Sequence, residues 1–383
     1  MQSQPCRKRH SCRPRQGKAR FVPVSPRNSL ISASPPTLDE VAATAGVSRS
    51  TASRAINGGL RVSPAAQTAV DAAANLLGYS PNRAARSLVT RRTDSIALVI
   101  PEPDERVLSD PFIGATLRGI SAALTPSDKQ LVLLIARPGE SDGRISKYLR
   151  SGHVDGAVIV SHHRRDGMED AVLSSSIPSV FVGRPFHDED LLHYTDVDSV
   201  AGGRLATEHL ISIGRHRIAH IAGPQDMTAG MDRTTGWREA LYAAQLPYHL
   251  LGQGDFTTAS AYQAMNVLLH QEPRIDAVFA ASDLMALGAL AALRDHGRSV
   301  PDDVAVVGFD DLGGAAGASP SLTTLRNPVV EMASSAVSQL LHLLDSGVST
   351  DTPRHVVFSP QIVLRNSTRS TGILSSLTKE SDS

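Results

Sequence analysis

Cysteine is almost missing from this chain: Cys6 and Cys12 are the only two in 383 residues. With His10 between them a metal site would still want a fourth ligand and a folded setting, so two isolated thiols in a polar tail is the simpler reading. No run of 18 apolar residues occurs, which excludes a spanning helix, and the N-terminus has no apolar stretch of the kind a secretory signal needs. The cytoplasm is therefore the expected compartment, with the nucleoid as the location when DNA is bound. Catalytic signatures are missing too: there is no GxSxG, P-loop, HExxH or CxxC. His162-His163 and the His209, His216 and His220 group lack metal-ligand spacing with a carboxylate partner, and read as surface or strand-packing residues. Neither enzyme activity, a metal nor a cofactor is expected.

Acidic residues are absent from the first 36 positions, which carry eight Lys/Arg. Residues 37–92 hold seven basic and three acidic side chains, and the remainder 23 basic and 35 acidic, so a formal net charge of zero divides into +8, +4 and −12. A basic front and an acidic body suit a protein whose head alone meets phosphate. The length exceeds what one core usually serves, and 41% apolar content is normal for a globular chain. Residues 1–36 are rich in Pro, Arg and Ser without periodicity and read as a disordered basic tail.

Order begins at Thr37. With Glu40 it forms a capping-box pattern, and Leu38, Val41, Ala42 and Ala45 make one apolar helical stripe. Gly46 supplies a turn. Ser48 can cap a second helix that turns Val47, Ala52, Ala55 and Ile56 inward and Arg49, Ser50, Ser53, Arg54 and Asn57 outward. This is a helix-turn-helix pattern with a polar, Arg-bearing outer face. A third helix starts at Ser63-Pro64, buries Val70, Ala73, Ala74 and Leu77, and ends at Gly78. Ser80-Pro81 repeats the start signal, and residues 82–88 could form two helical turns that order only against a partner or DNA.

From Ser95 onward short apolar runs (SIALVI, LVLLI, GAVIV, SVFV, RIAHIA, DAVFA, VAVVGF) alternate with helical patterns near residues 112–124, 200–213, 232–245, 258–270, 284–296 and 329–345. Continuous apolar strands followed by amphipathic helices imply parallel sheets covered on both faces, with ligands beyond the carboxyl ends of the strands.

The order of AGVSRSTASRAING, VSP, LGYSPNRAARSL and RRTDSIALVIP, followed by DPFIGATLRGI, VDGAVIV, IPSVFVGRP, DRTTGWREAL, AASDLMALGALAAL, PDDVAVVGFDD and SLTTLRNP, resembles the lactose/galactose-repressor (LacI/GalR) family of bacterial transcription regulators across nearly the whole chain. The resemblance implies a small all-α helix-turn-helix head plus an α/β two-lobed periplasmic-binding-protein-like core with parallel sheets, ligand in the cleft, and a chain that crosses between lobes more than once. The expected layout is a tail over 1–36, the DNA-binding domain over 37–80, a hinge helix and linker over 81–92, an effector-binding and dimerisation core over 93–370 and a disordered tail over 371–383.

It also implies roles for residues. Arg49, Ser50 and Arg54 match positions that face base edges, where Arg can bond guanine bidentately. Thr37, Ser48, Thr51, Ser53, Asn57 and Ser63 are short polar groups suited to phosphate, although capping explains the serines equally. In the hinge, Leu88 resembles a leucine that inserts into the minor groove, Ala85 permits close approach, and Asn82, Arg83 and Arg86 hold flanking backbone or groove edges. In the core, Asp310 and Arg233 match ligand-contacting positions and would face each other across the cleft, with loop capping and a surface ion pair as the alternatives. Phe256 and Phe112 match stacking positions or belong to the core. Ser282, Asp283 and Asn327 follow from alignment alone, and Asp283 could equally cap its helix. Where many relatives carry two aromatics this chain has Phe112-Ile113, which favours a sugar-facing wall over a sandwich around a flat base.

The reading is of a regulator, with a repressor as the expectation, that binds a palindromic double-stranded operator as a homodimer and is switched by a small-molecule effector, with a sugar favoured. A tetramer stays open, although the C-terminal STRSTGILSSLTKESDS has no leucine heptad. A transport-type sugar-binding protein shares the two-lobed core, but the head and the missing signal argue against it.

Overall fold

A computed structural model describes residues 35–57, 62–80, 92–136, 143–175, 177–346 and 352–369, which fall into two compact units divided between residues 85 and 86. The hinge assignments at Asn82, Arg83, Ala85, Arg86 and Leu88, and most of both tails, lie outside the described residues.

The first unit is built by its caps. Helix α1 (Leu38–Ala45) starts in the expected capping box: the Thr37 amide donates to Glu40 at 2.7 Å and the Glu40 amide to the Thr37 hydroxyl at 3.3 Å. It ends at Gly46 with φ 66°, a left-handed conformation that costs glycine little. Helix α2 (Arg49–Ile56) is capped by Ser48 accepting from the Thr51 amide, and α3 (Pro64–Leu77) by Ser63 accepting from that of Ala66, with Gly78 ending α3 at φ 64°. Val41, Ala42, Ala52, Ala55, Val70 and Ala73 form the buried centre, while Val47, Ile56, Ala74 and Leu77 pack around it half-buried.

The second unit contains two six-stranded sheets. The first lobe orders its strands β11-β5-β4-β3-β1-β2: β1 (Ser95–Ile100), β2 (Gln130–Ile135), β3 (Gly156–Val160), β4 (Ser179–Val182), β5 (His193–Val197) and β11 (His355–Phe358), every pair parallel. The second lobe mirrors it as β12-β10-β9-β8-β6-β7: β6 (Ile218–Ala222), β7 (Leu251–Gln253), β8 (Ala277–Ala280), β9 (Ala305–Asp310), β10 (Thr323–Arg326) and β12 (Gln361–Val363). Among the described residues only the β10–β12 pair is antiparallel. In each sheet strand order reverses beside the first strand, β1 or β6, which is where α/β sheets open a crevice at their carboxyl ends.

The helices after Gly143 and before the crossings are α6 and α7; in chain order the set is α4 (Asp104–Ser109), α5 (Pro111–Leu124), α6 (Arg144–Arg150), α7 (Met168–Ser175), α8 (Ser199–Ser212), α9 (Thr228–Ala243), α10 (Thr258–Gln271), α11 (Asp283–Asp295), α12 (Gly314–Gly317) and α13 (Val329–Ser346). The chain passes between lobes three times, after β5, after β10 and between β11 and β12, because α8 packs on α9 and the second sheet whereas α13 packs on α5 and the first. Helices α5, α8, α10, α11 and α13 lie within a residue or so of their expected spans. Helix α9 begins about one turn before residue 232: its first turn is Thr228-Ala229-Gly230-Met231, with no polar side chain bonding at its cap. Short helices α4, α6, α7 and α12, and strands β5, β7, β10, β11 and β12, carry no periodic signal in the sequence, since each is too brief or too polar to show one. Among the described residues no helix is long and apolar enough to cross a membrane.

Candidate DNA-binding face and effector cavity

On the head, Arg49, Ser50, Arg54 and Asn57 are exposed together and Ser53 is half-buried beside them, as the helical period demands. The Arg54 Nε donates to the Ser50 carbonyl at 3.2 Å, which lays the guanidinium along α2. Arg49 pairs with Asp39 of α1 at 3.0 Å, both side chains more than two-thirds exposed, so this pair adds little stability and can be exchanged for another acceptor. Asn57 closes α2 by donating to the Ser53 carbonyl at 2.8 Å. The hydroxyls of Thr37, Ser48 and Ser63 are engaged in caps, and Thr51 bonds Ser48 at 2.9 Å. Capping thus accounts for Ser48 and Ser63, where phosphate contact would have to share the hydroxyls, but not for Ser53.

In the second unit a cavity opens between the carboxyl ends of the two sheets. All seven core residues singled out from the sequence, Phe112, Arg233, Phe256, Ser282, Asp283, Asp310 and Asn327, line it. Of the non-glycine residues with left-handed φ among those described, three are on its wall: Ser161 (57°), Phe256 (66°) and Asp310 (115°). Such strain persists where surrounding structure over-determines the backbone, a hallmark of functional sites.

The polar centre is Arg233, in the second turn of α9. It is buried, donates to the Ala281 carbonyl at 2.6 Å, stacks on Phe309 with its guanidinium carbon 3.7 Å from the ring centre, and faces Asp310 at 3.7 Å, while its Nε has no partner. Arg233 and Asp310 therefore do not face each other across the cleft. Both belong to the second lobe, because α9 follows β6 and Asp310 ends β9 in the same sheet. Asn327 donates to Asp310 at 3.2 Å and leaves its own Oδ1 unpartnered. Burial raises the Asp310 pKa to about 6, Arg233 and Asn327 opposing only in part. A buried Arg Nε and amide oxygen without partners are costly unless a ligand supplies them.

Asp283 has a different employment. Ser282, not Asp283, caps α11, accepting from the Met285 amide at 3.2 Å. Asp283 is the first helical residue and accepts from the Asp311 amide at 2.8 Å and from the Thr324 hydroxyl, tying α11 to β9 and β10; burial, with Asp310 adding to it, raises its pKa to about 7. Asp311 is structural, held by Arg326 and Arg365. Phe256 packs against the second-lobe core and Phe112 against the first-lobe core, and both remain half-buried on the cavity wall, so core and ligand-facing roles coexist.

Several residues in or beside the cleft carried no sequence signal. Arg106 of α4, in the first lobe, reaches over the cleft to donate to the Asp255 carbonyl at 3.1 Å and to stand 5.6 Å from the Phe256 ring centre. Arg184, after β4, donates through one guanidinium nitrogen to both carboxylate oxygens of Asp232 of α9 at 2.8 and 2.9 Å. His163 bridges Glu102 of its own lobe (3.3 Å) and Asp226 of the other (3.0 Å). These residues are far apart in sequence, and only their meeting across the lobes identifies them. His162 is buried on the cavity wall rather than at the surface. His209 and His220 are indeed packing residues: His209 bonds Thr368, and His220 stacks on Phe279 and bonds its carbonyl at 2.8 Å, burial lowering the His220 pKa to about 3. Among the described residues no group of three or more His, Cys, Asp or Glu side chains could hold a metal.

Residues 37–82 match the family model described as bacterial regulatory proteins, lacI family, and residues 207–368 that of a periplasmic binding protein-like domain. The HTH-type transcriptional regulator CelR of Thermobifida fusca is 46% identical over 335 residues, covering 87% of this chain and 98% of that protein. The chain belongs to the LacI family. It is a transcription regulator, and its relatives in the LacI family are regulators rather than enzymes. A solved transcriptional regulator CelR–cellobiose complex superposes with a TM-score of 0.69 at 43% identity, covering 87% of this chain and 99% of that one. A LacI-family structure of a lac repressor dimer bound to operator and the anti-inducer ONPF gives 0.78 at 25% identity, over 88% and 100%.

Proposed function

We propose that this LacI-family chain is a repressor that binds a near-palindromic operator as a homodimer and is switched by a neutral sugar of the cellobiose class. One observation carries the effector assignment: a cavity between two lobes whose buried Arg233 and Asn327 keep polar atoms unpartnered beside Asp310, in a chain 43% identical to a regulator solved with cellobiose. A carboxylate, a guanidinium and an amide together suit the paired donors and acceptors of vicinal hydroxyls, and Phe112 and Phe256 offer apolar walls for the faces of sugar rings. Asp110, Asp196, Asp283 and Asp310 outnumber Arg106 and Arg233 on the lining, and even with Asp196 and Asp283 raised to about 7 by burial the lining carries no net positive charge, which disfavours an anionic effector.

On the head, Arg49, Ser50 and Arg54 read bases, and Thr37, Ser48, Thr51, Ser53, Asn57 and Ser63 hold phosphates. The hinge over 81–92 contributes Asn82, Arg83, Ala85, Arg86 and the wedge Leu88, between a head over 37–80 and a core over 93–370. In the cell the protein works in the cytoplasm on nucleoid DNA. A sugar gripped by both lobes favours one lobe arrangement, and two hinges can pair only in a suitable arrangement, so the ligand alters DNA affinity without touching DNA. Thermal-shift and calorimetric titration of the full chain with cellobiose, glucose, ribose and hypoxanthine tests the effector class. Cellobiose should stabilise the protein and release operator DNA; stabilisation by hypoxanthine alone would overturn the sugar reading.

A further inference from the structure

We infer that His162 is an effector-recognition residue, the first lobe's hydrogen-bonding group for a sugar hydroxyl in the cavity. The inference rests on the sugar reading above and names a contact that the sequence did not disclose.

His162 follows β3 and is 4% exposed on the cavity wall, yet among the described residues neither ring nitrogen meets a partner at hydrogen-bond geometry. Its neighbours are differently occupied. Ser161, turned by its left-handed φ, donates to Glu102 at 2.6 Å, and His163 is held between Glu102 and Asp226. The His162 ring stands edge-on to Phe181 of β4, with centroids 5.0 Å apart and planes at 73°, a contact that fixes its plane without using its nitrogens. A buried imidazole with two idle nitrogens is unfavourable in a protein that only needs to fold, and an apolar ring would pack there better.

The chemistry of the missing partner follows from the ring's charge state. Burial pushes the His162 pKa down to about 4, opposed by a contact with the Arg184 backbone that falls short of full hydrogen-bond geometry and reinforced by the His163 charge, so the ring is neutral near pH 7. A neutral imidazole offers one donor and one acceptor, which a hydroxyl, itself both donor and acceptor, can meet. Arg233 of the second lobe and Asn327 of the crossing, each with a buried unpartnered atom, line the same cavity. A hydroxylated ligand bonded to His162 on one side and to Arg233 or Asn327 on the other would join the two lobes, which is what a switch between lobe arrangements requires.

His162→Phe tests this, since it keeps a ring against Phe181 and removes both nitrogens. Calorimetry of the full-length variant with cellobiose should show affinity weaker by roughly tenfold or more. Its ligand-free unfolding midpoint should be unchanged or higher and its ligand-free operator affinity unchanged, a combination that a purely structural histidine would not give. One monodeoxy analogue of cellobiose should bind wild type less well than cellobiose does, yet bind the variant equally. If phenylalanine is not accommodated, His162→Leu is read in the same way. A variant that binds cellobiose within about twofold of wild type overturns the assignment of His162 alone. Wild type that binds none of cellobiose, glucose or ribose overturns the sugar reading, and the His162 assignment falls with it.

Discussion

Replacing Arg233 by methionine should destabilise the ligand-free protein by an amount that grows with pH, and the size of that growth can be worked out from Asp310. The substitution removes the bond to the Ala281 carbonyl and the stack on Phe309, a pH-independent loss of about 1–3 kcal/mol. It also leaves Asp310 buried with Asn327 as its one hydrogen-bonding side chain. In wild type the Asp310 pKa is raised from 3.8 to about 6, so its contribution to stability is fully present below 3.8, declines as pH rises to about 6, and is flat beyond, where folded and unfolded chains are both ionised. Without Arg233 the folded value climbs further, and the decline continues above 6. At about 1.4 kcal/mol per unit, the extra cost is close to nothing at pH 5, about 1.4 kcal/mol at pH 7 and about 3 kcal/mol at pH 8. Trp237, the single tryptophan and fully buried one helical turn after Arg233, reports unfolding of this lobe by fluorescence in urea titrations at the three pH values. Adding Asp310→Asn should remove the larger share of the pH-dependent part and leave the constant part, the remainder coming from Asp196 and Asp283, which Arg233 also faces. An equal loss at pH 5 and pH 8, or a pH dependence that Asp310→Asn does not reduce, would refute the reasoning.

Deleting residues 1–33 should leave the ratio of specific to nonspecific operator binding unchanged, because ordered reading begins at the Thr37 cap; a uniform loss with a shallower salt dependence would report phosphate contacts only. Arg54→Ala should weaken operator binding by roughly 1–3 kcal/mol and relax preference at one position per half-site, whereas Leu88→Ala should chiefly reduce DNA bending, both read by gel shift on permuted sites. Gly236→Ala should cost about 1–3 kcal/mol or more in urea unfolding, since a methyl there meets the Val200 carbonyl and lies 2.6 Å from the Arg204 amide nitrogen, forcing α8 and α9 apart; wild-type stability would show that these helices yield freely.

The head was legible almost residue by residue. Thr37, Ser48, Ser63, Gly46 and Gly78 act within three or four positions of themselves, and the apolar stripes of α1 to α3 are local periods, so sequence neighbours carry the whole signal. The same holds for the long core helices and the buried strands β1, β3, β6, β8 and β9, whose unbroken Val, Ile and Ala runs reflect coverage on both faces. The seven cavity residues, too, were found from the family resemblance, and four of them, Ser282, Asp283, Asp310 and Asn327, lie at or just beyond the ends of β8, β9 and β10. Which of them share a lobe was not legible. Arg233 and Asp310 are 77 positions apart, and only the order β9-β8-β6 puts them side by side in one sheet's rim. The distinction between Asp283, whose oxygens are used up by Asp311 and Thr324, and Asp310, whose carboxylate faces the cavity, depends on partners 28 and 41 residues away. His162 shows the same limit most clearly. In the chain it is one of two adjacent histidines with no motif, and its meaning comes from what fails to reach it once the sheets have assembled, because an unmet hydrogen bond is a property of a burial environment and not of a sequence.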